Sequence, residues 1–367
     1  MILRREGRSN TGYVIGNQVK RKKGPFIVNY QYNFQFESLC NSLELGELIT
    51  PPKAISGGLL HRMFALQTAK GKYAVKALNP HIMARPTALN NYITSERIVS
   101  TVSNYIPAQP AKIYNGRFLQ KIDNQYYMIF DWIEGNCLKS HEITKANCKK
   151  IGSILADIHK IDFSQVGDSR FNELSKGIQQ IDWNFYLNKG KEIQCDWVRL
   201  LSNNIEQLYL WNEKAMRSLE KLASESVFSH RDLEPKNVMW RHGSPILIDW
   251  ESAGEISPKH DLIETAVYWS MNERSGIDKD KFHAFIRGYQ ECYGSVDADW
   301  RTVLELGYLS KLDWLEYSLK RSLQIDCTDE TEQEMGTKHV TGTINALNEY
   351  EDMVSVLETW LHNLNET

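Results

Sequence analysis

The sequence changes character once, near Glu134-Gly135, and that change restricts the chain to a two-part architecture. Before it, apolar residues come in short strand-like runs. HRMFALQTA (61–69) and KYAVKAL (72–78) are separated by Lys70-Gly71-Lys72, a hairpin turn of the kind glycine permits. FIVNYQY (26–32) reads as a further strand and FQFESLCNSLEL (34–45) as a short helix. A helix is expected over NNYITSERIVSTVSNYI, where Ile93, Ile98, Val99 and Val102 share one face. AKIYNGRFLQ (111–120) and QYYMIFDWI (125–133) read as two strands flanking the polar Lys121-Ile122-Asp123-Asn124.

After Gly135 the period becomes helical. Ile151, Ile154, Leu155 and Ile158 recur at i, i+3, i+4 and i+7, the pattern of a buried helix stripe. Further helices are expected at about 195–225, 261–272, 279–293, 299–323 and 342–364. One hairpin interrupts them: Val238-Met239-Trp240, a turn at Arg241-His242-Gly243-Ser244, then Pro245 to Asp249. The expected fold class is α+β and bilobal. An antiparallel-sheet lobe would occupy 1–130, a hinge 131–135, and a larger, mainly helical lobe 136–367.

That hairpin creates chemistry. Folding 238–240 back on 245–248 sets Asn237 and Asp249 at adjacent strand ends. An amide oxygen and a carboxylate converging there suit Mg²⁺, a hard cation that takes oxygen ligands and bridges substrate phosphates. Asp232, on the preceding loop, is placed to accept a hydroxyl proton and to orient that oxygen for in-line attack.

The stretch His230-Arg231-Asp232-Leu233-Glu234-Pro235-Lys236-Asn237, with Leu247-Ile248-Asp249-Trp250-Glu251 after the hairpin, resembles the catalytic-loop and metal-loop pair of the protein-kinase superfamily. Its version here looks like the aminoglycoside phosphotransferase and choline kinase branch. The resemblance is specific over about 226–270, and weaker but in the right order from about 54 to 160. It implies a protein-kinase-like fold, binding of ATP or GTP, and Mg²⁺. By the same resemblance Lys76 would contact the α- and β-phosphates, with Glu96 as its ion-pair partner. Ser56, Gly57 and Gly58 would approach the phosphates, and backbone of Asp131 and Ile133 would read the adenine edge. Asp261 would brace the catalytic loop.

Several departures narrow the function. The phosphate loop is not G-x-G-x-x-G, and Glu234 stands where protein kinases commonly carry a lysine. Only eleven residues separate Asp249 from Asp261, which leaves no room for a long activation segment. The expected activity is therefore transfer of the γ-phosphate of ATP to a hydroxyl of a small molecule that is aminoglycoside-like, amino-alcohol or sugar-like. Two alternatives stand beside it: a non-catalytic nucleotide-binding or spore-coat-type structural relative, and a protein kinase. All ten tryptophans lie at or after Trp132. Most are expected in the helical core, and a minority, such as Trp269 with Glu251, Glu264 or Asp182 nearby, would wall a cationic or sugar acceptor. His230 and His159 are read as structural.

Composition excludes other classes. A formal charge of −3 argues against a dedicated nucleic-acid binder. The basic residues Arg4, Arg5, Arg8 and Lys20 to Lys23 are read as a solvated strand pair or tail. The six scattered cysteines, with no C-x-x-C, fit reduced thiols in the cytoplasm. No secretory h-region and no apolar run of about 20 residues is present, so no membrane partner is expected.

Overall fold

The computed structural model of the chain describes residues 31–55, 60–164, 180–273, 276–327 and 329–364. The basic segment, most of the expected strand at 26–32, and Ser56, Gly57 and Gly58 lie outside them.

A short helix, α1 (Phe36–Ser42), precedes a five-stranded antiparallel sheet. Its strands are β1 (Lys53–Ile55), β2 (Arg62–Thr68), β3 (Gly71–Ala77), β4 (Leu119–Ile122) and β5 (Gln125–Asp131), in the order β1-β2-β3-β5-β4. Between β3 and β4 lie α2 (Pro80–Met83) and α3 (Ala88–Val102). Register explains the two faces. Phe64, Val75 and Ile129 are direct cross-strand partners, and all three pack with Leu39 and Leu43 of the α1 region. Side chains alternate across a strand, so Lys76, opposite Met63 and Met128, points the other way. The expected strand at 111–120 forms only from Leu119 onward. Its first half turns back on itself at Asn115-Gly116, both at positive φ.

The helical region begins after β6 (Asn136–Cys137) with α4 (Lys145–His159), α5 (Trp183–Glu192) and α6 (Val198–Leu222). Then come β7 (Val227–Ser229) and the hairpin β8 (Val238–Arg241) and β9 (Ser244–Leu247), followed by β10 (Gly254–Ile256), which pairs with β7. Five helices finish the chain: α7 (Pro258–Ser270), α8 (Lys279–Tyr293), α9 (Trp300–Leu306), α10 (Tyr308–Ser322) and α11 (Glu330–Leu364). Thr144 starts α4 through a capping box with Asn147, and the Ile151 stripe is fully buried beneath it.

Two glycines let α4 and α8 touch through their backbones. A Cβ on Gly152 would stand 2.2 Å from the Phe285 carbonyl oxygen, and one on Gly288 would stand 2.1 Å from that of Lys149. The helix expected over 299–323 is broken at Gly307. The Tyr350 hydroxyl donates to the Leu304 carbonyl at 2.7 Å and occupies the space a Cβ on Gly307 would need. A side chain inserted into a helix ladder is a recognised cause of such breaks. The last helix starts twelve residues earlier than expected, at Glu330 rather than 342, because its first three turns carry few apolar residues to mark the period. α5 was not anticipated. Among the described residues no helix is long and apolar enough to cross a membrane.

Candidate active site

The hairpin does the positioning. The Ile248 N–H donates to the Asn237 carbonyl at 2.9 Å, which fixes the residue before β8 against the residue before Asp249. β6 pairs with β8, and Gly135 makes that approach possible, since a Cβ there would meet the Trp240 carbonyl oxygen at 2.6 Å. The connection between sheet and helices is thereby laid beside the catalytic loop.

Four expected residues converge. Asn237 Nδ2 donates to the Asp232 carbonyl at 2.7 Å and to Asp232 Oδ2 at 2.9 Å. Lys76 Nζ lies 2.5 Å from Asp249 Oδ1 and 2.8 Å from Glu251 Oε2. A cleft of about 400 Å³ is lined by Lys76, Asn237 and Asp249 together with Phe130, Ile133 and Met239, and Asn237 ties Asp232 to it. Burial pushes the Asp232 carboxyl up to about 8, and the charge of Glu234 adds to the effect. Such a carboxylate takes up a proton near neutral pH far more readily than an exposed one. Burial works against the Lys76 ammonium, and Asp249 and Glu251 more than reverse it, so the lysine stays charged.

The expected Lys76–Glu96 ion pair is not formed. Glu96 Oε2 accepts from the Ala111 N–H at 3.0 Å, and burial raises its carboxyl to about 7. Its carboxylate is engaged by that backbone N–H, and the lysine pairs instead with Asp249 and Glu251 on the helical side. Asp131 borders the cleft, but its side chain is exposed and paired with Lys112 at 2.5 Å. One lone pair of its carbonyl accepts from Gln109 Nε2 at 2.6 Å, whereas Ile133 lines the cleft beside it.

The acceptor residues fare differently. Trp269 is fully buried and donates from Nε1 to the Leu233 carbonyl at 2.8 Å, so it props the catalytic loop from behind and cannot wall an acceptor. Trp183, Trp197 and Trp211 are equally buried. Glu264 accepts from the Ser310 hydroxyl at 2.5 Å and from Tyr268 at 3.3 Å, which ties it into the packing of α7 on α10. Glu251 belongs to the Lys76 cluster. Asp182 caps α5, accepting from the Phe185 N–H at 3.1 Å, and opens onto a cavity of about 450 Å³ shared with Asp313 and Glu316.

Further contacts support these residues, and His230 is structural, as expected. His230 is neutral, its pKa lowered by burial. Its Nδ1 faces the Asp232 N–H at 3.3 Å and its Nε2 the Ile248 carbonyl at 2.9 Å. Asp261 is bonded to His159 Nε2 at 2.9 Å, and His159 Nδ1 meets the Tyr289 hydroxyl at 2.9 Å. His159 is thus a junction of α4, α7 and α8 rather than simple packing. Lys236 Nζ stands 2.9 Å from Glu234 and 3.8 Å from Asp232 Oδ1, next to the cleft. Its signal was its position between Asp232 and Asn237.

The donor set fits a hard divalent cation. Both Asn237 Nδ2 contacts go to Asp232, which leaves Oδ1 as the free oxygen, and Asp249 adds a carboxylate. Among the described residues no group of three or more His, Cys, Asp or Glu forms a metal cage. Mg²⁺ needs none, since it is commonly held by one or two protein oxygens plus substrate phosphates.

An antiparallel sheet over a helical region, with Lys76, Asn237 and Asp249 lining one cleft and Asp232 bonded to Asn237, defines a protein-kinase-like phosphotransferase. Residues 52–295 match the phosphotransferase enzyme family, and the chain belongs to it. Comparison with curated protein sequences finds no match. Among solved structures, a spectinomycin phosphotransferase bound to ADP and spectinomycin is similar at a TM-score of 0.61 and 13% identity, over 86% of this chain and 98% of that one. A microcompartment-associated aminopropanol kinase reaches 0.57 at 13% identity, over 86% and 98%. A choline kinase from Cryptosporidium parvum reaches 0.55 at 15%, over 89% and 99%. At such identities the likeness is one of fold.

Proposed function

We propose that the protein transfers the γ-phosphate of ATP to a hydroxyl of a small molecule, with Asp232 as base, Asn237 and Asp249 as Mg²⁺ ligands and Lys76 as the phosphate clamp. The observation that carries this reading is the convergence of the sheet residue Lys76 with Asn237 and Asp249 on one cleft, with Asp232 bonded to Asn237 beside them. A divalent cation held there would neutralise charge on the β- and γ-phosphates. Asp232, steadied by Asn237, holds the acceptor hydroxyl and takes its proton as the oxygen bonds phosphorus and the bond to the leaving ADP breaks. Segment 131–135 serves as the hinge, and its backbone, chiefly at Ile133, faces the base, an arrangement that suits ATP and GTP alike.

The span from Asp249 to Asp261 supports a small acceptor over a protein. It holds one helical turn, Trp250–Ser252, and the three-residue β10, with no platform for a peptide. A second cavity of about 420 Å³ is lined by Glu251 with Tyr92, Ser252, Asp313 and Trp314. We read it as the acceptor entrance, in which Trp314 takes the place expected of Trp269. The six free cysteines agree with a cytoplasmic setting.

The test is ADP release across a library of hydroxyl acceptors. Acceptor-dependent turnover that disappears in Asp249→Ala supports the reading. Undiminished turnover in that variant contradicts it, and binding of Mg-ATP without turnover on any acceptor points to a scaffold.

A further inference from the structure

A line of buried polar groups runs from the last helix to Lys76, and its middle member has no part in the chemistry above. His61 is 3% exposed, just before β2. Its Nδ1 accepts the Asn79 backbone N–H at 2.9 Å. A neutral imidazole that accepts at Nδ1 carries its proton on Nε2. That nitrogen is 3.3 Å from Glu251 Oε2 and 2.5 Å from the Tyr92 hydroxyl. Glu251 in turn holds Lys76 at 2.8 Å. At the other end, Asn79 Nδ2 donates to Glu332 Oε1 of α11 at 2.9 Å, beyond the stretch matched to the family.

We propose that His61 is a positioning residue: its Nε2–H orients the Glu251 carboxylate, and Glu251, in the place expected of Glu96, sets where the Lys76 ammonium stands. The inference rests on the reading of Lys76 as the phosphate clamp. The geometry favours it over simple packing because both ring nitrogens are engaged on opposite sides. One is fixed by backbone that a helix from the far end of the chain anchors, and the other lies between the Tyr92 hydroxyl at 2.5 Å and the Glu251 carboxylate at 3.3 Å. A ring held this way has one tautomer and one orientation, which is how an outer partner steadies a ligand-bearing carboxylate. Glu96, bonded to the Ala111 N–H, makes no ion pair with the lysine.

Two substitutions separate the roles of the two nitrogens. Glutamine at 61 keeps an N–H near the ε position, and asparagine keeps only an acceptor near the δ position. Binding of Mg-AMP-PNP is measured by calorimetry, so no acceptor need be known, and melting temperatures are recorded beside it. His61→Asn should weaken binding about tenfold while His61→Gln stays within about threefold of the parent. Equal binding by parent and His61→Asn, or equal loss in both variants, overturns the proposal. Should the variants fail to fold, the long-range ¹⁵N–¹H spectrum of the parent decides. A proton on Nε2 of His61 supports the assignment, and one on Nδ1 refutes it. A parent that binds no nucleotide removes the proposed function, and this spectrum then judges the orientation of His61 separately.

Discussion

Asn237 grips Asp232 twice, through the backbone carbonyl at 2.7 Å and through Oδ2 at 2.9 Å. One amide group thereby closes the six-residue loop from Asp232 to Asn237 and aims the carboxylate, and its remaining oxygen is left for the cation of the proposed mechanism. In the proposed mechanism ligand and brace are the same side chain. Asn237→Ala should therefore lower kcat by about 100-fold or more, through a misplaced base as well as a lost ligand. Raising Mg²⁺ should restore only part of the rate. ADP release against Mg²⁺ concentration checks this, and full rescue by metal would show that the brace is idle.

Glu96 makes a pH-dependent contribution with a definite sign. Its carboxyl titrates near 7 in the folded protein because it is buried, against about 4.5 when unfolded. Between those values the unfolded chain gives up the proton and the folded one keeps it. Stability therefore falls as pH rises from 4.5 to 7, and the penalty is constant above 7. Glu96→Gln should flatten that slope, with a gain of a few kcal/mol at most near pH 8. Urea unfolding at pH 5 and pH 8 measures it, and equal slopes in the two proteins would remove the assignment.

Asp261 works the opposite way. Burial opposes its ionisation, but the bond to His159 wins and its pKa is lowered. The stability it contributes is present above the unfolded carboxylate pKa and is lost as pH falls through the folded value. Asp261→Asn should cost about 1–3 kcal/mol at neutral pH, the usual result of leaving a buried hydrogen-bond partner poorly satisfied. The deficit should shrink toward acid pH. Denaturant titrations at pH 7 and pH 4 report both quantities.

Gly288→Ala should destabilise by about 1–3 kcal/mol or more, because the added methyl meets the Lys149 carbonyl rather than a side chain that can move. The effect should reach the site through His159, at the end of α4. Thermal unfolding gives the first number and ADP release the second. A variant as stable as the parent would mean that the two helices are free to part.

Much of this was legible in sequence because it was local. Asn237 and Asp249 come together through a hairpin of four residues per strand and its turn, and no distant contact is needed to predict it. The stripe on α4 is likewise written in a single run. The partner of Lys76 was not legible. Choosing among Glu96, Asp249 and Glu251 depends on how deeply each is buried and on a backbone N–H, that of Ala111, which happens to reach Glu96 first. Trp269 was misplaced for a related reason, since a tryptophan near a catalytic loop reads the same whether it faces the cleft or the core. The break at Gly307 depends on Tyr350, forty-three residues further along the chain.

Asp249 sits at φ 63° and ψ 58°, the left-handed region that most side chains avoid and that Asn and Gly accept with ease. The backbone thus filters what this position can become. Asparagine, a single base change from aspartate, would keep the turn and discard the charge, leaving, on the proposed role of Asp249, a well-folded protein without its cation. Within such a lineage, the passage from catalyst to inert scaffold needs no remodelling, only that one exchange.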